Sequence, residues 1–230
     1  MPILSQDNFS SVIADREDQK SLLKTRSKEY IERKVRKAEF SRPEDGWHVL
    51  DDTLKRDVKL AKNKSKDEVF EDEVWCLLSR LGFKYLSRDR QCRIRYDQQE
   101  EASQQIDVLA VDDECAVIVE CKSCDGPGAK AVNFKTDIES LGGKKAGLHR
   151  EIRELFGKPK LKIAYVLATR NYIIKQADLE RLKSFDIAHM SDVDLEYYQE
   201  LASHLGTAAR YQFEADLFHG QTIPELEGRV

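Results

Sequence analysis

The sequence predicts an α/β protein built on a mixed central sheet with helices on both faces, in the order α-β-β-β-α-β. An N-terminal helical extension and C-terminal helices flank that core. Three observations carry the expectation. The amphipathic run "DEVFEDEVWCLLSRLGF" closes on Gly82 and leads into short strand candidates. The stretch "DVLAVDDECAVIVECKS" (107–123) reads as two buried strands joined by an acidic turn. A long helical region then separates it from "KIAYVLAT", an apolar run of buried-strand length. Strands followed by a crossover helix and a further strand argue for a mixed sheet covered on both sides.

Composition bounds what the chain does. Its 230 residues suffice for one large domain or one domain with appendages. Charged residues make up 35% and hydrophobic residues 40%, enough apolar material for one core. The net charge is only -4, so any basic surface for nucleic acid must be local. No apolar run is long enough to cross a bilayer, and no basic start precedes an apolar stretch; membrane insertion and secretion are not expected. Cys76, Cys92, Cys115, Cys121 and Cys124 are odd in number and are read as reduced, in a cytoplasmic protein.

Taken in order, residues 1–64 form a charged, mainly helical extension. Within it "REDQKSLLKTRSKEYIERKVRKAEF" is rich in bases and spaces Leu22, Leu23, Tyr30, Ile31, Val35 and Ala38 as a narrow helical stripe. Two readings stand: a basic arm on phosphates, or a solvated helix packed by its stripe. Pro43 and Gly46 break the chain, and Ser65 with Glu68 three residues on predicts a capping box. Val69, Phe70, Val74, Leu77, Leu78 and Leu81 then share one helical side, with Gly82 as the stop. "FKYLS" and "CRIRY" are strand candidates, and "DQQEEASQQ" is a polar loop. Strands are predicted over 106–111 and 115–121, with Asp112-Asp113 as a tight turn. "CDGPG" breaks the chain again. Helix follows over 130–156 with an interruption at Gly142-Gly143. "KQADLERLKSF" predicts a helix, "DIAHM" a strand, and "DLEYYQELASHL" and "AARYQFEADLF" two more helices. The expected units are 1–64, a core over 65–190, and a helical segment over 191–230 leading into a further domain.

Charged residues at the ends of buried strands are costly unless paired or bound. Asp107 opens the first strand of the hairpin; Glu120 and Lys122 close the second. Two residues apart on a strand, Glu120 and Lys122 share a face. The tight turn brings Asp107 opposite the region of Cys121, within one register step. Two carboxylates and an ammonium then occupy one patch. Carboxylates so placed repel unless a cation lies between them, and oxygen donors of this kind suit Mg²⁺.

The pattern Asp107…Glu120-Cys121-Lys122 after a buried strand resembles the PD-(D/E)XK nuclease superfamily. Together with "FEDEVWCLLSRLGF" it looks most like the branch of Mrr-type restriction endonucleases and Holliday-junction resolvases, over about residues 66 to 170. Ile106 stands where the motif's proline would be. The resemblance implies a restriction-endonuclease-like core and hydrolysis of DNA phosphodiesters. It implies Mg²⁺, with Mn²⁺ as a substitute, on Asp107, Glu120 and the Cys121 backbone carbonyl. It gives Lys122 the orientation of the attacking water, and Glu71 a role in positioning Lys122 or a second metal; Glu73 is the alternative to Glu71. It implies DNA as partner, a homodimer for a two-strand cut, and a place in bacterial antiviral defence or restriction. A catalytically silent nuclease-fold module for DNA binding or assembly is the alternative, and RNA or branched junctions are alternative substrates. The stretch from Tyr197 onward resembles the approach to the DGQHR region of DndB-like bacterial proteins, though no DGQHR is present; by that resemblance the chain is the N-terminal part of a longer protein.

Other side chains carry weaker expectations. Cys121-x-x-Cys124 has no second cysteine pair, and Cys121 should face away from Glu120 and Lys122; ordinary thiols are expected. His48, His149, His189, His204 and His219 show no metal-binding spacing. Lys144, Lys145, Arg150 and Arg153, with His149, follow on the crossover helix as candidate DNA-backbone contacts or as a solvated face. The aromatics of "EYYQEL" and "RYQF" are read as core.

Overall fold

The computed structural model describes residues 3–97, 102–126 and 130–218. The extension begins with α1 (Phe9–Val12) and β1 (Ile13–Ala14), followed by α2 (Arg16–Arg26). Asp15 caps α2 by accepting from the backbone N–H groups of Glu17 and Asp18. Next come β2 (Tyr30–Arg36), β3 (His48–Asp51) and β4 (Asp57–Asn63), an antiparallel sheet in the order β2-β4-β3. The single long helix expected across 16–40 is therefore a helix and a strand. Ile31 and Val35 caused the misreading. They lie four apart, close to one helical turn and also two strand repeats, so the spacing fits both periods. Pairing decides: Val35 lies opposite Val58 and Arg33 opposite Leu60, both buried residues of β4.

The core follows with α3 (Lys66–Arg80), β5 (Tyr85–Ser87), β6 (Arg93–Arg95), β7 (Ser103–Gln105), β8 (Val108–Val111), β9 (Cys115–Ser123) and β10 (Lys130–Ala131). It continues with α4 (Lys135–Leu155), β11 (Lys162–Arg170), β12 (Tyr172–Ile173), α5 (Gln176–Ser184) and β13 (Ile187–Met190). The capping box at the start of α3 forms as expected, Ser65 accepting from Glu68 N–H and Glu68 from Ser65 N–H. The central sheet runs β1-β5-β8-β9-β11-β13. Its first four strands are antiparallel, while β9, β11 and β13 are parallel, so the sheet is mixed. Strand periodicity sorts the hairpin: Val108, Ala110, Val117 and Val119 face α3, and Leu109, Val111, Ala116 and Ile118 face α4.

Part of the polar loop "DQQEEASQQ" is strand β7, paired with β6 as a separate ribbon; residues 98–101 lie outside the described set, as do 127–129 of "CDGPG". The crossover helix runs unbroken through Gly142-Gly143. Close approach, not helix breaking, explains two of its glycines. A Cβ on Gly142 would lie 2.2 Å from a ring carbon of Phe185, and one on Gly147 1.7 Å from the carbonyl oxygen of Tyr96.

The C-terminal helices α6 (Asp192–Leu205) and α7 (Ala209–Leu217) pack on the core, with Leu195, Ala202, Ala209 and Phe213 joining the α3-side cluster. Tyr198 meets Phe213 edge to face at 5.0 Å, as the core reading of these aromatics expects, whereas Tyr197 and Tyr211 are exposed. Arg210 on α7 holds Asp112 of the hairpin turn and Glu214, and stacks 4.5 Å from the Phe83 ring centroid. The sequence beyond Phe218, including His219 and the end of the stretch likened to DGQHR proteins, lies outside the described residues. No described helix is long and apolar enough to cross a membrane. All five cysteines are free thiols.

The extension is tied to the core by a buried carboxylate. The Asp72 side chain, 3% exposed, meets Arg26 at 2.5 Å, Lys64 at 2.8 Å and Arg90 at 2.7 Å. Arg26 also stacks over Trp75 at 4.7 Å. One anion thus gathers cations from α2, from the end of β4 and from the segment after β5. Asp72→Ala leaves those cations without their common partner and is expected to cost about 3–5 kcal/mol in urea denaturation. Gly147→Ala should cost about 1–3 kcal/mol by overpacking against Tyr96. A loss below 0.5 kcal/mol in either variant would contradict the packing described.

Candidate active site

Strand β9 pairs with β11 along its whole length, from Cys115 opposite Lys162 to Ser123 opposite Arg170. Its pairing with β8 stops earlier, at Val108 opposite Val119. Glu120, Cys121 and Lys122 therefore extend beyond the antiparallel partner. Asp107, the residue before β8, fills the gap: its Oδ2 accepts the backbone N–H of Cys121 at 2.8 Å. Asp107 follows the alternation of Leu109 and Val111, and Glu120 and Lys122 that of Ala116 and Ile118, so all three lie on the α4 side. Cys121 packs against the α3-side cluster, on the opposite face.

The site is half-buried and its charges act on one another. Lys122 Nζ donates to Glu120 Oε1 at 2.8 Å. Burial, then the charges of Glu120 and Glu71, push the Asp107 carboxyl up to about 7, against the Cys121 N–H and Lys122. Burial opposes the charge on Lys122, but the hydrogen bond it donates to Glu120 and the charges of Glu120, Asp107 and Asp137 win, and its ammonium is held above the ordinary lysine value. Glu71 enters from α3. Its carboxyl is raised by burial and lies 2.7 Å from Arg90 Nε, a close charge contact without hydrogen-bond alignment. Of the two acids considered on α3, Glu71 is the one whose charge reaches Asp107; Glu73 is turned to Arg170 in a forked ion pair.

Glu71 is engaged by Arg90, not by Lys122. Three of the four crossover-helix bases have partners within the chain. Lys144 donates to Gln104 at 2.7 Å, Lys145 to the Phe185 carbonyl at 3.0 Å and Arg153 to the Leu161 carbonyl at 3.1 Å. Leu161 precedes the start of β11, at the opposite end of the sheet from Glu120, so Arg153 is remote from the carboxylates. His149 is pushed down to about 4 by burial and by Lys145 and Arg153, and is neutral at neutral pH. Only Arg150 of this group is fully exposed.

Arg90 was not legible in the sequence; an arginine after a short strand carries no signal until the fold sets it between Glu71 and Asp72. Thr169 was missed for a similar reason. It lies opposite Lys122 on β11 and bonds His189 Nε2 at 2.8 Å. Among the described residues no cluster of three or more His, Cys, Asp or Glu side chains stands ready to hold a metal. The donors at the sheet end are two carboxylates and the Cys121 carbonyl. That small oxygen set fits Mg²⁺, which keeps several of its waters and takes few protein ligands. A cation at the pair would also offset the burial and like-charge repulsion that raise the Asp107 carboxyl.

In the folded chain Asp107 holds its proton to about 7, while an unfolded aspartate loses it near pH ~4. Between those values the native state binds more protons, so its stability falls as pH rises and the full penalty stands above about pH 7. In chelator, Asp107→Asn should therefore be more stable than wild type at pH 8 by about 1–4 kcal/mol. The difference should vanish near pH 4. Equal melting curves of the two proteins at pH 8 would contradict it.

No family model matches the chain, and no curated protein matches it. Among solved structures it is similar to the crystal structure of protein VC1899 from Vibrio cholerae, with 14% identity and a TM-score of 0.37. The match covers 65% of this chain and 38% of that one, so the chain spans well under half of that protein's length.

Proposed function

We propose that the chain is a metal-dependent DNA endonuclease of the PD-(D/E)XK superfamily, hydrolysing phosphodiester bonds in bacterial defence or restriction and acting as a homodimer. The observation that supports this reading is the gathering of Asp107, Glu120 and Lys122 on one face where β9 outruns β8. The order α3, β5, β8, β9, α4, β11 is the core order of that superfamily, with the β6–β7 ribbon inserted.

Asp107 and Glu120, with the Cys121 carbonyl, are the groups that would hold Mg²⁺, or Mn²⁺ in its place. When bound, the ion supplies charge neutralisation at phosphate and lowers the pKa of water. The chain's own residues do the rest. Asp107 is fixed by the Cys121 N–H, which sets the direction of its free oxygen. Lys122 stays protonated, so at neutral pH it is a poor general base and a good donor. Its role is to orient the attacking water and to steady negative charge developing on the phosphate. Glu71, anchored by Arg90, adds negative potential behind Asp107. A second reading, a silent nuclease-fold module for DNA binding or assembly, is favoured by the internal compensation of Glu71 by Arg90 and of Glu120 by Lys122.

Plasmid incubated with the protein and Mg²⁺ should be nicked or linearised. Asp107→Ala and Lys122→Ala should each slow cleavage at least about a hundredfold. Plasmid, junction and RNA substrates left equally intact by wild type and both variants would remove the enzyme reading. A metal-free gel shift unchanged by Asp107→Ala would then favour the silent module.

A further inference from the structure

Strand β11 is apolar from Ile163 to Ala168 apart from one hydroxyl, that of Tyr165. Tyr165 is 1% exposed and packs in the α4-side cluster, and its hydroxyl has no hydrogen-bond partner among the described residues. A tyrosine hydroxyl shut away from water ordinarily finds a partner. A phenylalanine would fill the same space without the cost of desolvating an unmatched hydroxyl. The oxygen adds nothing to the packing, which points to a partner that the chain itself does not supply.

Register and charge both place this ring beside the carboxylates. Tyr165 lies opposite Ile118 across the parallel pair β11–β9, and Ile118 lies opposite Leu109 across the antiparallel pair β9–β8. Glu120 is two residues beyond Ile118, and Asp107 is two residues before Leu109. Asp107, Glu120 and Tyr165 thus share the α4 face on three neighbouring strands, with the acids one side-chain step nearer the sheet end. Burial, then the charges of Glu120 and Asp107, push the phenol up, so it is neutral at neutral pH. It bonds neither carboxylate: Glu120 receives Lys122, and Asp107 receives the Cys121 N–H. A neutral phenol can accept a hydrogen bond as well as donate one. A Mg²⁺ ion held by few protein ligands keeps several waters, and those waters donate to the groups around them.

We propose that Tyr165 is a positioning residue of this site, its hydroxyl taking a hydrogen bond from a water in the hydration shell of a divalent cation at Asp107 and Glu120. The inference rests on the metal reading of that pair and extends it to a third strand, β11. It gives the buried oxygen a use: unmatched in the metal-free chain, it is matched when the cation brings its water. Outer contacts of this kind change metal affinity by about ten- to a hundredfold.

The test is Mn²⁺ binding by the full chain without DNA, read from the electron paramagnetic resonance signal of free Mn²⁺, beside thermal melting in chelator. Tyr165→Phe keeps the ring and removes the oxygen. It should melt at or above the wild-type temperature in chelator, yet bind Mn²⁺ at least about tenfold more weakly. Ile118→Val, a packing change on the same face, should leave the Mn²⁺ affinity as in wild type, and Asp107→Ala should abolish binding. Equal Mn²⁺ affinity in wild type and Tyr165→Phe overturns the inference and leaves the metal reading standing. So does a Tyr165→Phe protein that melts below wild type in chelator, since the hydroxyl would then have a partner within the chain. A loss of affinity shared equally by Ile118→Val assigns the effect to packing and overturns the inference as well. Failure of wild type to bind Mn²⁺, or binding kept in Asp107→Ala, overturns the metal reading and this role for Tyr165 with it.

Discussion

The unequal lengths over which β9 is paired on its two sides govern the rest of the structure. On one side β11 follows it residue by residue to Ser123; on the other β8 stops at Val119. A strand paired on one side only leaves backbone N–H and C=O groups to be satisfied by other means. Here a side chain does so: the Asp107 carboxylate takes the Cys121 N–H and brings a negative charge to a place where Glu120 already stands. The same geometry that completes the hydrogen bonding of the sheet end concentrates acid there. Structural need and chemical potential have one origin.

That concentration is balanced differently on the two faces. On the α4 side, Lys122 sits on Glu120, and burial together with the remaining repulsion raises the Asp107 carboxyl. On the α3 side, Arg90 stands between Glu71 and Asp72 and answers two carboxylates at once. Burial and like charge have raised the energy of the ionised pair, so a positive charge placed there would stabilise it. Arg90 also joins the acid of α3 to the cluster that anchors the extension, so residues far apart in the chain share one electrostatic neighbourhood.

Much of this was legible in the sequence. The hairpin was readable because apolar runs of strand length flank an Asp-Asp turn, and its ends were readable because Asp, Glu and Lys are out of place beside buried valines. The α3 helix was readable from its cap and its stripe. Other features depend on contacts that no local pattern encodes. Ile31 and Val35 satisfy helix and strand periods alike, and only their pairing with β4 decides. Gly142 and Gly147 look like helix breakers in one dimension and are close-packing positions in three. The bases of α4 look like a phosphate-binding row, but the turn of the helix sends Lys144, Lys145 and Arg153 to separate neighbours. Arg90 becomes meaningful only when the fold sets it between Glu71 and Asp72, and Thr169 only when β11 sets it opposite Lys122.

The cluster around Asp72 also limits how the molecule can be divided. A piece cut at the capping box of α3 would keep the anion and Arg90 but lose Arg26 and Lys64, and would uncover the face of Trp75 on which Arg26 lies. It would also lose β1, the edge partner of β5 in the central sheet. The leading segment is therefore part of the packing of the core. Any transplantation of this module into another protein must carry its leading segment with it.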